Sequence, residues 1–233
     1  VLRGDLDGLL VGEIRDTATA GAAQQVVETG HFALATLHAH LISGIVPRLT
    51  DKSIGMSREV ITGPNILNLL VYQGLVPVLC NECCINGADH KNYEFIHYGK
   101  ITSQTQQNEA ERGIHELLDL IETKFVLPRN IFNFRRNKGC DHCKKRGTKG
   151  LTVVAEMLMP DDKWLELTRE KRDHEAVAHY RSFSDNDFLS PDMTGKTVFE
   201  HALYKAAQGK VDPRRCQNFD TFRRFKINDK KAN

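Results

Sequence analysis

The chain has 233 residues, with 32 Lys and Arg against 30 Asp and Glu for a formal net charge of +2, and 40% of it is hydrophobic. That length buries a sizeable core and fits one large or two small domains, and a 27% charged fraction belongs to an ordinary globular chain rather than a disordered or fibrous one. The charge is spread along the sequence, which gives no global electrostatic reason to bind nucleic acid; no apolar run near about 18 residues and no basic-then-apolar leader is present, so neither a membrane span nor a signal peptide is expected.

Val1-Leu2-Arg3 carries no initiator Met and leads within a few residues into a core-strand pattern, so an upstream segment is expected. Residues 9–11 form a short apolar run that stops at Gly12, which puts Glu13, Arg15 and Asp16 at the carboxyl end of a strand, where open α/β sheets place their ligands. Residues 17–29 read as a helix: Asp16 or Thr17 can cap it, Ala18, Ala22, Ala23, Val26 and Val27 keep helical spacing, and Gly30 follows as a C-cap glycine. A second apolar run, residues 32–37, is bracketed by His31 and His38, so an acid and two imidazoles can converge on one edge. Strand, helix and strand make a βαβ unit with parallel pairing. Arg15 and Asp16 are expected to form an ion pair shaping the loop.

Residues 43–50 predict a short helix in which Pro47 lies in the first turn or makes a kink, and residues 61–72 a further helix beginning no earlier than Pro64. Residues 76–79 then read as a strand ending at the first of six cysteines. Cys80 and Cys83, with Cys140 and Cys143 after a long insertion, form two C-x-x-C knuckles. Four thiolates are what a closed tetrahedral zinc site requires, although their separation exceeds the usual zinc-ribbon range. Cys84 adjoins Cys83 as an alternative ligand; the x-x spacing favours Cys83. Cys216 is isolated and expected to be a packed or partly exposed thiol.

Within the insertion, residues 93–98 suggest a strand. Residues 104–125 form an amphipathic helix with Ile114, Leu117, Leu118 and Ile121 on one face. Phe132, Phe134, Arg135, Arg136 and Lys138 mix aromatics with positive charge, a pattern that binds single strands but also suits an approach to a knuckle. Residues 151–159 read as a strand, 161–167 and 172–180 as helices, and 182–194 as a loop. Val198, Ala202, Leu203 and Ala206 mark a closing helix with Gly209 at its C-cap, and the basic residues 222–231 are expected to fray.

Asp5-Leu6-Asp7-Gly8-Leu9-Leu10-Val11-Gly12-Glu13-Ile14-Arg15-Asp16 and Thr29-Gly30-His31-Phe32-Ala33-Leu34-Ala35-Thr36-Leu37-His38 resemble the Walker B and His boxes of the secretion and type IV pilus ATPases. Gly139 to Gly147, with the strand that follows, is similar to the second cysteine knuckle of that family. The resemblance implies a RecA-like α/β ATPase core over residues 1–79, a zinc-binding subdomain with an inserted helix over 80–159, and a helical C-terminal region over 160–233. It implies Glu13 as the carboxylate polarising the attacking water and His38 as the γ-phosphate sensor. Gly12, Arg15 and His31 are implied as cofactor-binding residues and Cys80, Cys83, Cys140 and Cys143 as zinc ligands. The implied cofactors are ATP, Mg²⁺ and Zn²⁺. The implied setting is a homo-hexameric motor, cytoplasmic and peripheral at the bacterial inner membrane, docked on a platform protein of a pilus or secretion system, with nucleic acid no expected partner.

The sequence departs from that family at Leu6, where it has proline, at His40, where it has asparagine, and at Gly74, where an arginine follows the glutamine. Gly12 stands where most such strands carry an aspartate. No GxxxxGK[ST] loop precedes Glu13. Gly195-Lys196-Thr197 lacks the loop and the leading strand and is expected not to bind phosphate, so the chain is expected to be the C-terminal part of a motor, negligibly active alone. The competing reading is a non-enzymatic zinc-ribbon adaptor that binds nucleic acid or protein through its basic residues; it accounts for the cysteines but not for residues 9–38.

Overall fold

The computed structural model describes residues 8–97 and 101–228. Helices and strands are mixed along the chain, which divides into two compact units: residues 1–72 with 156–184, and residues 73–155 with 185–233. The three segments drawn from the sequence are a different partition, since residues 160–184 cluster with the first unit and 185–233 with the second.

The first unit opens with β1 (Gly8–Val11), α1 (Thr17–Glu28) and β2 (Phe32–Ala35). The strands are parallel, Gly8 opposite Phe32 and Val11 opposite Ala35, as a βαβ unit requires. Asp16 begins α1 through a reciprocal capping box: its carboxylate accepts the Thr19 amide at 2.9 Å while the Thr19 hydroxyl closes back on the cap. This corrects the expected Arg15–Asp16 pair, because the Asp16 carboxylate is occupied by orphan donors of the first turn. Ala20, Ala23 and Val26 bury the inner face of α1.

α2 (Ile45–Leu49) carries Pro47 in its first turn, and α3 (Arg58–Ile61) is a single turn capped by Ser57. The helix expected up to residue 72 does not form. After α3 the chain turns through Gly63-Pro64, Asn65 takes a left-handed φ of 61°, and β3 (Leu70–Leu79) begins. Leu69 and Val71 are exposed while Leu70 is buried, so the run alternates with the period of a strand. β3 pairs with a later strand, β6 (Thr148–Leu158). α5 (Asp162–Arg169) and α6 (Asp173–Ser182) complete the unit. Ile14, Ile45, Leu49, Ile61, Trp164, Leu167 and Tyr180 belong to one buried cluster. At its margin the Arg58 guanidinium donates to Asp173 at 2.8 Å and to the Thr168 carbonyl at 2.7 Å.

In the second unit β4 (Ile85–Asn86) and β5 (Asn133–Phe134) pair antiparallel, and α4 (Gln104–Lys124) buries Ile114, Leu118 and Ile121. The strand expected over 93–98 is instead a 3-10 helix, His90–Phe95. Tyr93 and Ile96, three apart, are both buried and the Tyr93 hydroxyl donates to the Gly87 carbonyl, a spacing that an alternating strand does not offer; residues 98–100 lie outside the described ones. α7 (Val198–Ala207) starts at Thr197, whose amide and hydroxyl both donate to Glu200, and a 3-10 helix follows at Pro213–Asn218.

The carboxyl-terminal segment also departs from expectation. Phe222 and Phe225 are buried, stacking on Phe125 and Phe199 with ring centroids 4.5–6.0 Å apart. The Lys124 ammonium donates to the carbonyls of Phe222, Arg223 and Phe225 at 2.8, 3.0 and 2.6 Å. Aromatic burial therefore outweighs the local basic charge; residues 229–231 of the expected frayed segment lie outside the described ones. Gly74, where the resembling family has arginine, packs against Phe219: a Cβ there would stand 2.6 Å from the ring.

Gly74→Ala is therefore expected to cost about 1–3 kcal/mol in equilibrium unfolding, and a double-mutant cycle with Phe219→Ala to show less than additive loss. Acid should also weaken the fold through His201 of α7. Burial pushes its pKa below the ordinary imidazole value, against a hydrogen bond with the Ala155 carbonyl at 3.1 Å that favours the protonated ring. The unfolded chain then binds the proton more readily, so stability present above about pH 6.5 is lost as pH falls toward the folded value. Melting curves between neutrality and mild acid should show that slope, reduced in His201→Gln.

Candidate functional site

The first candidate site stands at the carboxyl ends of β1 and β2. Their pairing continues past the strands, with the Ile14 amide donating to the Thr36 carbonyl at 2.8 Å and the Thr36 hydroxyl donating to the Gly12 carbonyl. These bonds fix the turn that presents Glu13. Arg15 donates to Glu13 Oε2, and His38 Nε2 lies 3.4 Å from Glu13 Oε1. Glu13 is 21% exposed, whereas Arg15 and His38 are 73% and 93% exposed, so the carboxylate is sheltered beside two open partners.

The Arg15 hydrogen bond is the largest influence on the Glu13 carboxyl; with the Arg15 charge it holds the group below the usual carboxylate range against the opposing effect of desolvation. Glu13 is thus ionised at neutral pH. Of the residues singled out from the sequence, Glu13, Arg15 and His38 come together. His31 Nδ1 stands 3.0 Å from the Thr29 hydroxyl instead, and among the described residues no hydrogen bond or ion pair joins His31 to Glu13 or His38. Gly12 contributes its carbonyl to the turn. Thr36, which the sequence reading did not single out, supplies the bond that anchors it.

Gly195-Lys196-Thr197 has a different role. The Lys196 ammonium is buried, 2.8 Å from Asp185 and donating to the Asp187 carbonyl at 2.6 Å, while Thr197 caps α7. That lysine closes its own loop.

The second candidate site, in the second unit, is a cluster of four sulfurs. Cys80, Cys83, Cys140 and Cys143 place their Sγ atoms within 4.8 Å of one another. The Cys80–Cys140, Cys83–Cys143 and Cys140–Cys143 separations are each 3.9 Å. Sulfurs bound tetrahedrally at a zinc–sulfur distance of about 2.3 Å stand about 3.8 Å apart, so the donor set and its spacing fit one tetrahedral ion. All six cysteines are free thiols. The Cys84 thiol lies instead 3.8 Å from the Asn81 carbonyl, so the sulfur that joins the cluster here is that of Cys83.

The second knuckle is built by backbone. Cys140 begins a 3-10 turn over Asp141–Cys143, and Lys144 and Lys145 take left-handed φ values of 52° and 61°. Gly139, at φ 54°, has no room for a side chain: a Cβ would stand 2.8 Å from Cys143 Sγ and closer still to the Gly147 nitrogen. The amides of Cys140 and Gly147 donate to Cys143 Sγ at 3.2 and 3.1 Å. Burial alone would raise the Cys143 pKa, but those two amides and the neighbouring thiols bring it down to about 6. Cys83, lacking such donors, is pushed up by burial and by its thiol neighbours. Hydrogen bonds of this kind orient sulfur donors before an ion arrives.

The aromatic and basic residues before Cys140 are used internally. Phe132 and Phe134 are fully buried, the Arg135 amide donates to Asp212 at 2.9 Å, its Nε donates to the Arg146 carbonyl at 2.8 Å, and Arg136 lies over the Phe95 ring. Buried rings offer no face for stacking bases. Among the described residues no helix is long and apolar enough to cross a membrane.

Residues 1–203 match the family model of the type II/IV secretion system proteins. The chain is 30% identical over 207 residues to the type II secretion system ATPase E of Vibrio cholerae, covering 87% of this chain and 35% of that protein. It is 41% identical over 207 residues to the type II secretion system protein E of Pectobacterium carotovorum, with the same two shares. It is 27% identical over 208 residues to the type IV pilus assembly ATPase PilB of Thermus thermophilus, covering 89% of this chain and 19% of that protein. The chain thus spans about a third or less of the length of these relatives.

Protein purified without chelator is expected to contain one tightly bound divalent ion per chain. Cys83→Ala should lose it and Cys84→Ala keep it, as read by elemental analysis, and chelation should lower the melting temperature of the wild type and of Cys84→Ala alike.

Proposed function

Since the chain belongs to the type II/IV secretion system protein family, we propose that it is the C-terminal portion of an ATPase motor that powers type IV pilus assembly or type II protein secretion. The observation that carries this reading is Glu13: a sheltered carboxylate at the end of a parallel strand, gripped by Arg15, with His38 3.4 Å away. In this reading residues 1–79 belong to a RecA-like core, 80–159 to a zinc-binding subdomain and 160–233 to a helical C-terminal region. The motor is a homo-hexamer at the cytoplasmic face of the bacterial inner membrane, docked on a platform protein.

Bound ATP supplies the γ-phosphoryl group, and Mg²⁺ neutralises its developing charge. Glu13, ionised and held below the usual carboxylate range, orients and polarises the attacking water rather than taking its proton early. Arg15 fixes that carboxylate by hydrogen bond, and His38, exposed and adjacent, is placed to report on the γ-phosphate. Gly12 and His31 border the nucleotide through backbone and ring. Gly12 offers no carboxylate to a metal, so Mg²⁺, when bound, would be held by a phosphate-binding loop and water. Cys80, Cys83, Cys140 and Cys143 hold a structural Zn²⁺, a kind of site that contributes on the order of 10 kcal/mol to local folding and here staples residues 85–138 to their own knuckles.

Nucleotide phosphates need a loop of backbone amides with a lysine, and no GxxxxGK[ST] precedes Glu13 in these 233 residues. The 233-residue chain alone is therefore expected to turn over ATP negligibly. In the full-length protein, Glu13→Gln should lower turnover by about 10²–10⁴-fold while nucleotide binding, measured by fluorescent-analogue titration, persists. Turnover within a few-fold of wild type in that variant would remove Glu13 from the chemistry.

A further inference from the structure

An open groove of about 810 Å³ in the second unit runs between α4 and the segment that ends the described chain. α4 uses Ile114, Leu118 and Ile121 for its own core, and a second stripe, Ala110, Gly113, Leu117 and Leu120, faces the groove at helical spacing. The opposite wall brings Arg223 and Arg224 to the edge of this apolar floor. Against them the groove carries one carboxylate, Glu116, which is 3.7 Å from Arg223 and shared with Arg112 at 3.6 Å. The Arg224 side chain makes no hydrogen bond or ion pair among the described residues.

Gly113 sharpens the picture. It lies in the interior of a 21-residue helix, and a Cβ there would meet nothing within 4 Å. Glycine in a helix interior weakens the helix relative to alanine, and among the described residues no neighbour makes use of the missing side chain. What the absence provides is room for a second backbone to approach the floor of the groove.

We propose that this groove is the docking site for an acidic amphipathic helix of a partner protein. An apolar stripe on that helix would lie along Ala110, Gly113, Leu117 and Leu120, and its flanking Asp or Glu residues would pair with Arg223 and Arg224. Helix-in-groove recognition has this form: apolar anchors at helical spacing give the affinity, and complementary charge at the rim sets orientation and association rate. A concave floor with charge on its edge suits a discrete helix better than a lipid surface, which takes a helix lying flat with its apolar face outward.

The test uses the 233-residue chain and a panel of fluorescein-labelled peptides of about 20 residues, each with leucine at helical spacing and glutamate on the flanks, read by fluorescence anisotropy. Binding is expected, weakening with salt, about tenfold weaker or worse in Arg223→Glu/Arg224→Glu and in Gly113→Leu, whose added side chain fills the floor. Gly113→Ala separates fold from docking: it should raise the melting temperature by about 2–4 °C and still weaken the peptide. The inference is overturned if no peptide binds below about 1 mM, if the substitutions leave affinity unchanged, or if lysine-flanked peptides bind equally well. It is overturned equally if phosphatidylglycerol vesicles, rather than peptides, bind in a way that Arg223→Glu/Arg224→Glu abolishes. None of these outcomes depends on ATP hydrolysis.

Discussion

Four sulfur atoms meeting within 4.8 Å of one another set the terms for the second unit. Cys80 follows directly on β3 and Cys143 shortly precedes β6, so everything between residues 85 and 138 must leave and return to one point. The β4–β5 pair sits at the neck of that excursion, with Ile85 opposite Phe134, and α4 fills its length. Bringing distant segments together costs loop-closure entropy that grows only slowly with length, so a long excursion is affordable once its ends are held. The excursion is further tied down by Asp212, which is buried and accepts from the Arg135 amide and the Arg214 guanidinium at once.

Donor placement around the sulfurs is unequal. Cys143 receives two backbone amides because Gly139, Lys144 and Lys145 hold left-handed conformations that turn those amides inward. Left-handed backbone at two lysines carries a steric cost that only a fixed turn sustains. The tight turn and the thiolate-favouring site are therefore one feature seen from two sides: the amides that the turn aims at Cys143 work against the effect of its burial.

In the first unit the parallel pairing of β1 and β2 does comparable work. Once Val11 stands opposite Ala35, the next residues of both strands emerge at the same edge, and Glu13, Thr36 and His38 have no choice but to be neighbours. The capping box at Asp16 matters here too. By committing its carboxylate to α1, it leaves Arg15 with Glu13 as its partner, which places the positive charge on the Glu13 carboxylate.

Much of this was written in the chain itself. The βαβ unit, the start of α1, the inner stripe of α4, the Gly209 end of α7 and the two knuckles follow from periodicity, capping residues and C-x-x-C spacing, all of which act over a few residues. What only the tertiary structure decided depends on partners far away in sequence. Residues 69–72 carry an apolar run that suits helix or strand, and pairing with β6 makes it a strand. Residues 93–96 turn into a 3-10 helix because Tyr93 and Ile96 are both drawn inward. The basic carboxyl-terminal segment is ordered by Lys124 and four phenylalanines from three separate elements. Lys196, in a string that resembles a phosphate loop, is consumed by Asp185. Cys83 rather than Cys84 joins the sulfur cluster, and His38 rather than His31 meets Glu13, because a local pattern names the residue types and only packing fixes which of two adjacent or similar side chains points into the site.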